Sequence, residues 1–291
     1  MKYVLIFSVL LFGGETGFSQ QADRVELRSG KKVVYAKFGD REVHLDWFRP
    51  ANEETLPGIV LIHGGGWIGG KREAFETTAR DLAGAGYVVA NIDYRLATEA
   101  KFPGAVLDCK AAVRWMRANA ESLGVDPERI AAIGGSAGGH LAAMVATTSG
   151  DAYFKDEANH PGESDALQAA IIMGAGVDQV ARVKESSSGS IKNCVIFFGG
   201  EYSQVPEIYA KGSPITHLSE TTPPVLMIDG EKDRPGERYG EFRRILDALG
   251  VKNEFQMIPG AKHGEWGKAA YRPAFVGAMT EFLDRVFRGG N

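Results

Sequence analysis

The chain has 291 residues, of which 44% are hydrophobic and 24% are charged, and this is the ordinary composition of a globular protein. Disordered, collagen-like and coiled-coil classes are therefore excluded. The 33 basic and 37 acidic residues give a formal net charge of −4, so no general positive field is present to attract nucleic acid. We expect no nucleic-acid partner.

The first residues have the pattern of a secretory signal. Lys2 precedes an apolar run over residues 3–12, and small residues at Gly17 and Ser19 occupy the positions that a signal peptidase reads. A buried strand or a membrane anchor is the alternative, but a bilayer span needs about 20 apolar residues. We predict a signal peptide at residues 1–19 and export to the periplasm or the extracellular space. The mature chain, residues 20–291, should then have no stable membrane anchor.

Cysteine and histidine usage gives no sign of a metal or a cofactor. The only cysteines are Cys109 and Cys194, so at most one disulfide can form. Cys109 lies with Val113 and Met116 on one face of a predicted helix, which favours a buried free thiol over a bridge to Cys194. The six histidines show no pair at metal-ligand spacing. We predict no metal and no cofactor.

The apolar patterns along the chain predict an α/β fold. Residues 32–38 and 42–48 alternate polar and apolar side chains around Gly39 and Asp40, which is typical of an antiparallel hairpin. Continuous apolar runs, the pattern of strands buried on both faces, follow at residues 58–62, 87–93, 130–133, 169–173, 225–228 and 255–258.

Helical stripes alternate with these runs, as at Phe75, Ala79 and Leu82. We therefore predict one α/β domain over residues 20–291, with a mostly parallel sheet covered by helices on both faces. Residues 174–224 show no clear strand or helix stripe and are too long for a simple connection. We predict that they form an inserted cap or loop over the site.

A nucleophile elbow is predicted where the run at residues 130–133 meets a helix. The pattern Gly134-x-Ser136-x-Gly138 is typical of a strained turn that lifts a serine hydroxyl above the sheet, and small neighbours are needed because the backbone is crowded there. A helix N-terminus at this point favours developing negative charge. Glycine-rich turns of this kind also bind phosphates, so the pattern alone leaves that alternative open.

A second motif, His63-Gly64-Gly65-Gly66, ends an earlier strand and favours an acyl-transfer site. Backbone N–H groups stabilise an oxyanion only where no side chain intervenes, which explains the consecutive glycines. We predict that the N–H groups of Gly65, Gly66 and Ala137 form an oxyanion hole. His63 is interpreted as orienting this loop rather than as the general base.

The serine needs a base, which a carboxylate must orient, and in this class the chain order is serine, acid, histidine. His263 follows the last apolar run and is the predicted base, whereas His160 and His217 lack that context and are predicted at the surface. Three carboxylates follow the run at residues 225–228: Asp229, Glu231 and Asp233. We favour Asp233 because its position leaves enough loop to curl back from the strand, and the other two remain alternatives.

These motifs together resemble the α/β-hydrolase esterases, and the nearest branch is that of the feruloyl and acetyl-xylan esterases, close to the hormone-sensitive-lipase-like esterases. The resemblance rests on segments that span nearly the whole mature chain: residues 63–67, 69–71, 93–96, 102–103, 108, 134–141, 230–233 and 259–264. It implies an α/β-hydrolase fold, with Ser136 as nucleophile, Asp233 as acid and His263 as base. It also implies an oxyanion hole at Gly65, Gly66 and Ala137.

The chain departs from the family pattern at two places. Asp229 precedes Gly230 where the family usually has histidine, so a second carboxylate lies near the predicted triad. Arg234 and Pro235 follow the acid where the family usually has an apolar residue and proline. The first departure leaves open whether Asp229 assists or replaces Asp233, and the second changes a wall of the site.

Substrate-contacting residues are less constrained by the sequence. Trp67 either contacts the substrate or covers the oxyanion loop. Four aromatic residues of the cap either bind a sugar or an aromatic acid or, as we favour, pack internally: Phe197, Phe198, Tyr202 and Tyr209. Three charged residues of the family motifs are expected to pair and hold loops: Asp93, Arg95 and Asp108.

The sequence predicts a secreted serine carboxylesterase that hydrolyses acetyl or feruloyl esters on polysaccharides or oligosaccharides through an acyl-enzyme. A carboxylesterase for small molecules, a lipase or an amidase with the same triad is the alternative. A non-catalytic binding scaffold is a further alternative, which the presence of both Ser136 and His263 disfavours. The expected partner is a carbohydrate-linked ester, and the sequence does not indicate an oligomeric state.

Overall fold

A computed structural model describes residues 25–156, 158–185 and 190–289. The predicted signal peptide at residues 1–19 lies outside this part of the chain. An eight-stranded sheet forms the centre, with the strands β1 (Leu27–Phe38), β2 (Arg41–Pro50), β3 (Leu56–Ile62), β4 (Val88–Ile92), β5 (Val125–Gly135), β6 (Ala169–Met173), β7 (Val225–Gly230) and β8 (Asn253–Ile258).

The strand order is β1-β2-β4-β3-β5-β6-β7-β8. Strands β1 and β2 form the predicted antiparallel hairpin, and β2 also runs antiparallel to β4. The remaining pairs are parallel, so the carboxyl ends of β3 to β8 lie at one edge of the sheet. This architecture confirms the predicted fold class.

Helices cover both faces of the sheet. They are α1 (Glu76–Gly84), α2 (Gly104–Ala118), α3 (Ala120–Leu123), α4 (Ala137–Thr147), α5 (Gln179–Glu185), α6 (Ser190–Phe198), α7 (Pro206–Lys211), α8 (Gly240–Ala248) and α9 (Arg272–Phe287). One apolar cluster joins one face of the sheet to α2, α4 and α8, and a second cluster joins the other face to α1 and α9.

One expectation about an individual element was wrong. Strand β8 is predicted to be buried on both faces, but it is the last strand in the sheet order, and 43% of the Met257 surface is exposed. Residues 174–224, which are predicted to form a cap or loop, contain α5, α6 and α7. Cys194 and Phe197 of α6 and Tyr209 of α7 are buried in the larger apolar cluster. The cap is therefore packed as part of the core.

Both cysteines have free thiols and are buried, so the favoured interpretation of Cys109 is confirmed. Burial raises the pKa of both thiols. Within the described residues, no helix is long and apolar enough to cross a membrane. The same residues contain no group of three or more potential metal ligands.

Candidate active site

The turn from β5 into α4 presents Ser136 at the carboxyl edge of the sheet. Ser136 has a φ of +54°, a backbone conformation that residues other than glycine rarely adopt. Its N–H donates to the Met173 carbonyl at 2.7 Å. A Cβ on Gly134 would lie 2.1 Å from the Gly138 carbonyl oxygen, and a Cβ on Gly138 would lie 2.2 Å from that of Ile62. The glycines of the elbow are therefore required by close backbone contacts.

The structure brings Ser136, His263 and Asp233 into one hydrogen-bonded chain. His263 Nδ1 lies 2.7 Å from Asp233 Oδ2, and His263 Nε2 lies 3.0 Å from Ser136 Oγ. An ionised carboxylate can only accept, so Nδ1 carries a proton in this arrangement and Nε2 is free to accept the serine proton. These three residues are the ones that the sequence predicted, in the predicted order along the chain.

The two other candidates for the acid lie apart from this chain of hydrogen bonds. Asp229 is buried and accepts from the Gly236 N–H at 3.2 Å, and Glu231 accepts from the Gly260 N–H at 2.7 Å. Burial tends to raise the pKa of Asp233, but the hydrogen bond to His263 and the charge of Arg238 outweigh it and lower that pKa. Asp233 is therefore the carboxylate that is both ionised and in contact with the histidine.

The oxyanion loop follows β3 and packs directly against the elbow. A Cβ on Gly64 would lie 2.9 Å from the Gly135 carbonyl oxygen, and φ is +124° at Gly65 and +61° at Gly66. Ala137 is the first residue of α4, and the first N–H groups of a helix have no partner within it. Gly65 and Gly66 line the same cavity as Ser136, and Ala137 follows Ser136 in the chain. The oxyanion hole formed by their N–H groups stays a prediction.

His63 supports this loop from behind. Its ring stacks on Tyr94 with 4.3 Å between centroids, and its Nδ1 lies 2.6 Å from the Gly64 carbonyl oxygen. Burial lowers the pKa of His63, which favours the neutral ring. This position matches the predicted supporting role.

Trp67 is buried, with 1% of its surface exposed, and does not line the cavity beside Ser136. Its ring stacks on Phe197 at 4.7 Å, and its Nε1 donates to His140 Nδ1 at 3.2 Å. His140 Nε2 in turn donates to the Gly212 carbonyl at 2.7 Å, and burial lowers the pKa of His140 to about 4. Trp67 therefore ties the oxyanion loop to the cap, and its assignment as a substrate contact is not supported.

A cavity of about 390 Å³ lies beside Ser136 and His263. This volume is within the range of roughly 300–1,000 Å³ that small-molecule sites occupy. The lining residues besides these two are Gly64, Gly65, Gly66, Ala74, Phe75, Gly264, Trp266 and Gly267. Trp67, the loop at Arg234 and the aromatic residues of the cap, which were candidates for the wall, are not among them. Phe197, Phe198 and Tyr209 are instead buried, and Tyr202 is partly buried against the same cluster, which supports the favoured expectation of internal packing.

The other charged and histidine residues lie outside the site. Arg95 binds Asp108 through Nε and Nη2, as the expectation of loop-holding pairs required, whereas Asp93 pairs with Arg72. His160 Nε2 lies 3.0 Å from the Tyr35 carbonyl oxygen. His217 Nε2 lies 2.8 Å from the Lys211 carbonyl oxygen.

Three side chains at the site were not predicted. Trp266 lines the cavity and meets His263 edge to face at 5.2 Å, and its place three residues after the histidine was a signal that could have found it. Arg238 contacts Asp233. The loop after β7 contains two arginines, Arg234 and Arg238, and the sequence did not indicate which of them reaches the acid. Asn193 of α6 reaches the oxyanion loop, where a Cβ on Gly66 would lie 2.3 Å from its Nδ2. Nothing in the sequence pattern indicated that contact.

A parallel sheet with a serine elbow after β5, an acid after β7 and a histidine after β8 defines an α/β-hydrolase. Residues 45–235 match the BD-FAE family, and the chain belongs to that family. The predicted resemblance to α/β-hydrolase esterases is therefore confirmed.

Similar proteins extend this comparison. Esterase LipC of Mycobacterium tuberculosis is 33% identical over 271 residues, which are 89% of this chain and 65% of LipC. A structure of a thermophilic esterase from Thermogutta terrifontis with butyrate bound is 27% identical, has a TM-score of 0.71 and covers 91% of this chain and 95% of that chain. A bifunctional GH43-CE protein of Bacteroides eggerthii is 27% identical, has a TM-score of 0.78 and covers 89% of this chain and 38% of that chain. The chain spans 65%, 61% and 47% of the lengths of three curated relatives that it matches.

Proposed function

We propose that this chain is a serine carboxylesterase. The observation that carries the proposal is the chain of hydrogen bonds from Ser136 Oγ through His263 to Asp233, with distances of 3.0 and 2.7 Å. This geometry supports proton transfer from the serine to the imidazole as the hydroxyl attacks an ester.

The reaction follows from the positions of these groups. Ser136 Oγ bonds to the ester carbonyl carbon while His263 Nε2 takes the serine proton, and the resulting oxyanion faces the N–H groups of Gly65, Gly66 and Ala137. His263 then gives the proton to the departing alcohol oxygen as the ester bond breaks, which leaves an acyl-enzyme. Water repeats the sequence on the acyl-enzyme, with His263 again as base, and releases the carboxylic acid and the serine.

A serine-directed fluorophosphonate probe tests this function. The reactive protein should gain one adduct, located on Ser136 by peptide mass spectrometry, and Ser136→Ala should gain none. Ser149→Ala is a matched control on another serine and should label like the wild type. Absence of labelling in a folded wild-type protein would favour the non-catalytic scaffold.

We further propose that the substrates are carbohydrate-linked esters with an acetyl or feruloyl group. The resemblance to feruloyl and acetyl-xylan esterases supports this, as does the similar protein whose description pairs GH43 with CE. Assays on acetylated xylan, methyl ferulate and nitrophenyl esters of increasing chain length should give the highest kcat/KM for acetyl or feruloyl groups. A maximum beyond about eight carbons, or a preference for amides, would instead favour the lipase or the amidase, since pocket walls discriminate by size.

Export is proposed from the apolar run at residues 3–12 and the small residues Gly17 and Ser19. Expression of the full chain followed by N-terminal sequencing should give a mature protein that begins near Gln20. An intact Met1, or retention in the cytoplasm, would contradict this part of the proposal.

A further inference from the structure

A partly buried arginine, Arg238, contacts the predicted acid of the triad on the side away from His263. Arg238 Nη2 donates to Asp233 Oδ1 at 2.8 Å and also to the Asp233 carbonyl. Arg238 Nη1 donates to the Gly174 carbonyl at 2.9 Å, at the end of β6. These contacts leave Asp233 Oδ2 for His263, so the guanidinium fixes which carboxylate oxygen faces the imidazole.

A second carboxylate faces the same arginine from the end of β7. Asp229 Oδ2 lies 3.5 Å from Arg238 Nε, and its other oxygen, Oδ1, lies 3.4 Å from the Tyr239 hydroxyl. Arg238 Nε is buried and makes no hydrogen bond among the described residues, so its interaction with Asp229 is that of neighbouring opposite charges. Asp229 makes no hydrogen bond to His263 among the described residues, so it acts on the histidine through its charge and through its interaction with Arg238.

We propose that Arg238 and Asp229 form a positioning pair for the triad, in which Arg238 orients Asp233 and Asp229 balances the positive charge of Arg238. This inference rests on the proposed esterase function. A lone guanidinium beside Asp233 would weaken the attraction between that carboxylate and the protonated His263 formed during the reaction. The negative charge of Asp229 restores this attraction, while Arg238 keeps its hydrogen bonds to Asp233.

The summed charge near His263 sets the direction in which each variant should change protonation of the histidine. Asp233, Asp229 and Arg238 together carry a net charge of −1. Asp229→Asn raises this to zero, Arg238→Gln lowers it to −2, and the double variant returns it to −1. The other charged residues around the site are engaged elsewhere: Glu265 with Lys268, Glu231 with the Gly260 N–H, and Arg182 over the Trp67 ring. Lys232, Arg234, Glu237 and Lys262 are also in the adjoining loops and are unchanged in every variant.

The pH dependence of kcat/KM on a nitrophenyl ester tests the pair, because the acid limb of that profile reports protonation of the base in the free enzyme. Asp229→Asn should move the acid limb to lower pH, and Arg238→Gln should move it to higher pH, each by about 0.5 unit or more. The double variant should return it close to the wild-type position. Burial raises the pKa of Asp229 to about 6, and the charge of Arg238 opposes that rise. The predicted shifts therefore apply where Asp229 is ionised, and Asp229→Asn, which removes this group altogether, is the primary measurement.

Arg238→Lys separates charge from orientation. Lysine keeps the positive charge but lacks the planar set of N–H donors that orients Asp233. We therefore expect kcat to fall about 10-fold or more, with little change in KM or in the position of the acid limb. Arg244→Gln and Glu241→Gln are matched controls, because these two residues form an exposed pair on α8. Neither control should move the limb.

Shifts of Asp229→Asn and Arg238→Gln in the same direction, or no shift in either, would overturn the proposal. If circular dichroism shows that Arg238→Gln does not fold, the test rests on Asp229→Asn. An acid limb that does not move in Asp229→Asn would then reject the proposed pair. Fluorophosphonate labelling of the wild type distinguishes the two failures. If the wild type is labelled and the acid limbs of the variants do not move, only the positioning pair is refuted. If the wild type is neither labelled nor active, the esterase function itself is refuted.

Discussion

Ser136 occupies a backbone conformation that costs a residue with a side chain on the order of 1–3 kcal/mol, and the surrounding contacts must hold it there. The N–H bond to Met173 anchors the turn to β6, while Gly134 and Gly138 allow carbonyl groups to pass where a Cβ would collide. This strain places the hydroxyl at the edge of the sheet where the loops of His263 and Asp233 arrive.

The first prediction concerns the three residues of the proposed triad. Ser136→Ala and His263→Ala should each lower kcat by several orders of magnitude, because they remove the nucleophile and the base. Asp233→Asn should lower kcat by about 10³–10⁴-fold, because the histidine loses the carboxylate that fixes its tautomer and stabilises its protonated form. Asp229→Asn should be clearly less damaging, since Asp229 does not contact His263. Steady-state kinetics with circular dichroism as a folding control measures this. A larger loss in Asp229→Asn than in Asp233→Asn would reject the assignment of the acid.

A second prediction concerns stability at the same carboxylate. Burial raises the pKa of Asp229 to about 6 in the folded protein, above the ordinary value of 3.8. A carboxyl with a raised folded pKa stabilises the fold most below its unfolded pKa, and this contribution is lost as the pH rises through about 6. Asn cannot ionise, so the unfolding free energy of Asp229→Asn minus that of the wild type should increase between about pH 4 and pH 6. Urea unfolding at each pH measures this difference, and a flat or falling difference would contradict the prediction.

Side chains that a chemical motif demands could be predicted from the sequence, whereas those set by loop geometry could not. Ser136 and His263 follow buried strands at fixed points of a known chain order, so local pattern determines their place. Asp233 was separable from Asp229 only by how the loop curls, a property that depends on the Asp233 N–H bond to the Gly230 carbonyl. Arg238 is held at the site by its hydrogen bond to the Gly174 carbonyl. Gly174 is distant in the sequence, so local pattern could not predict this contact.

At the scale of elements, the N-terminal hairpin, the buried strands and the long amphipathic helices were predictable, whereas the short helices of residues 174–224 and the edge strand β8 were not. Helix α6 has 9 residues and α7 has 6, so few turns were available to establish a helical period. The apolar run of β8 was taken for a doubly buried strand, although Glu254 and Gln256 at alternate positions already indicated one exposed face. The cavity is lined in part by two single helical turns, at Arg72–Phe75 and Glu265–Gly267, which are too short to show a helical period of their own.

These turns give a prediction about substrate size. Ala74 is exposed and lines the cavity, and a Cβ on Gly267 would lie 3.7 Å from the Ala74 carbonyl oxygen, an ordinary contact. Ala74→Leu should therefore fill space between the two turns and lower kcat/KM for bulky esters about 10–100-fold more than for nitrophenyl acetate. Separate series of acyl and alcohol groups would show which part of the ester meets this wall.

The control for this experiment is Ala85→Leu, at an exposed position after α1. It should leave the order of substrates unchanged. An equal loss for acetyl and bulky esters in Ala74→Leu would mean that the substitution disturbs the triad rather than the wall.

At the scale of the whole molecule, apolar packing holds the described fold without a disulfide. Cys109 is fully buried and Cys194 is 1% exposed, and burial raises the pKa of both thiols, so neither should form a reactive thiolate in the folded protein. We expect Ellman's reagent to detect no thiol in the native protein and two after denaturation, with a Tm that dithiothreitol does not change. Rapid reaction of either thiol in the native state would contradict the buried positions.

The packing of the cap into the main apolar cluster also determines how a substrate reaches Ser136. Lifting α6 away would separate Phe197 from Trp67 and expose several aromatic rings to water, which is costly. The cavity is lined by residues outside α5, α6 and α7, among them Ala74 and Gly267, so we expect an ester to bind there without movement of these helices. Hydrolysis of a sparingly soluble ester such as tributyrin should therefore rise smoothly through the solubility limit. The abrupt increase in rate at an oil–water boundary, which enzymes with a mobile apolar cover display, should be absent.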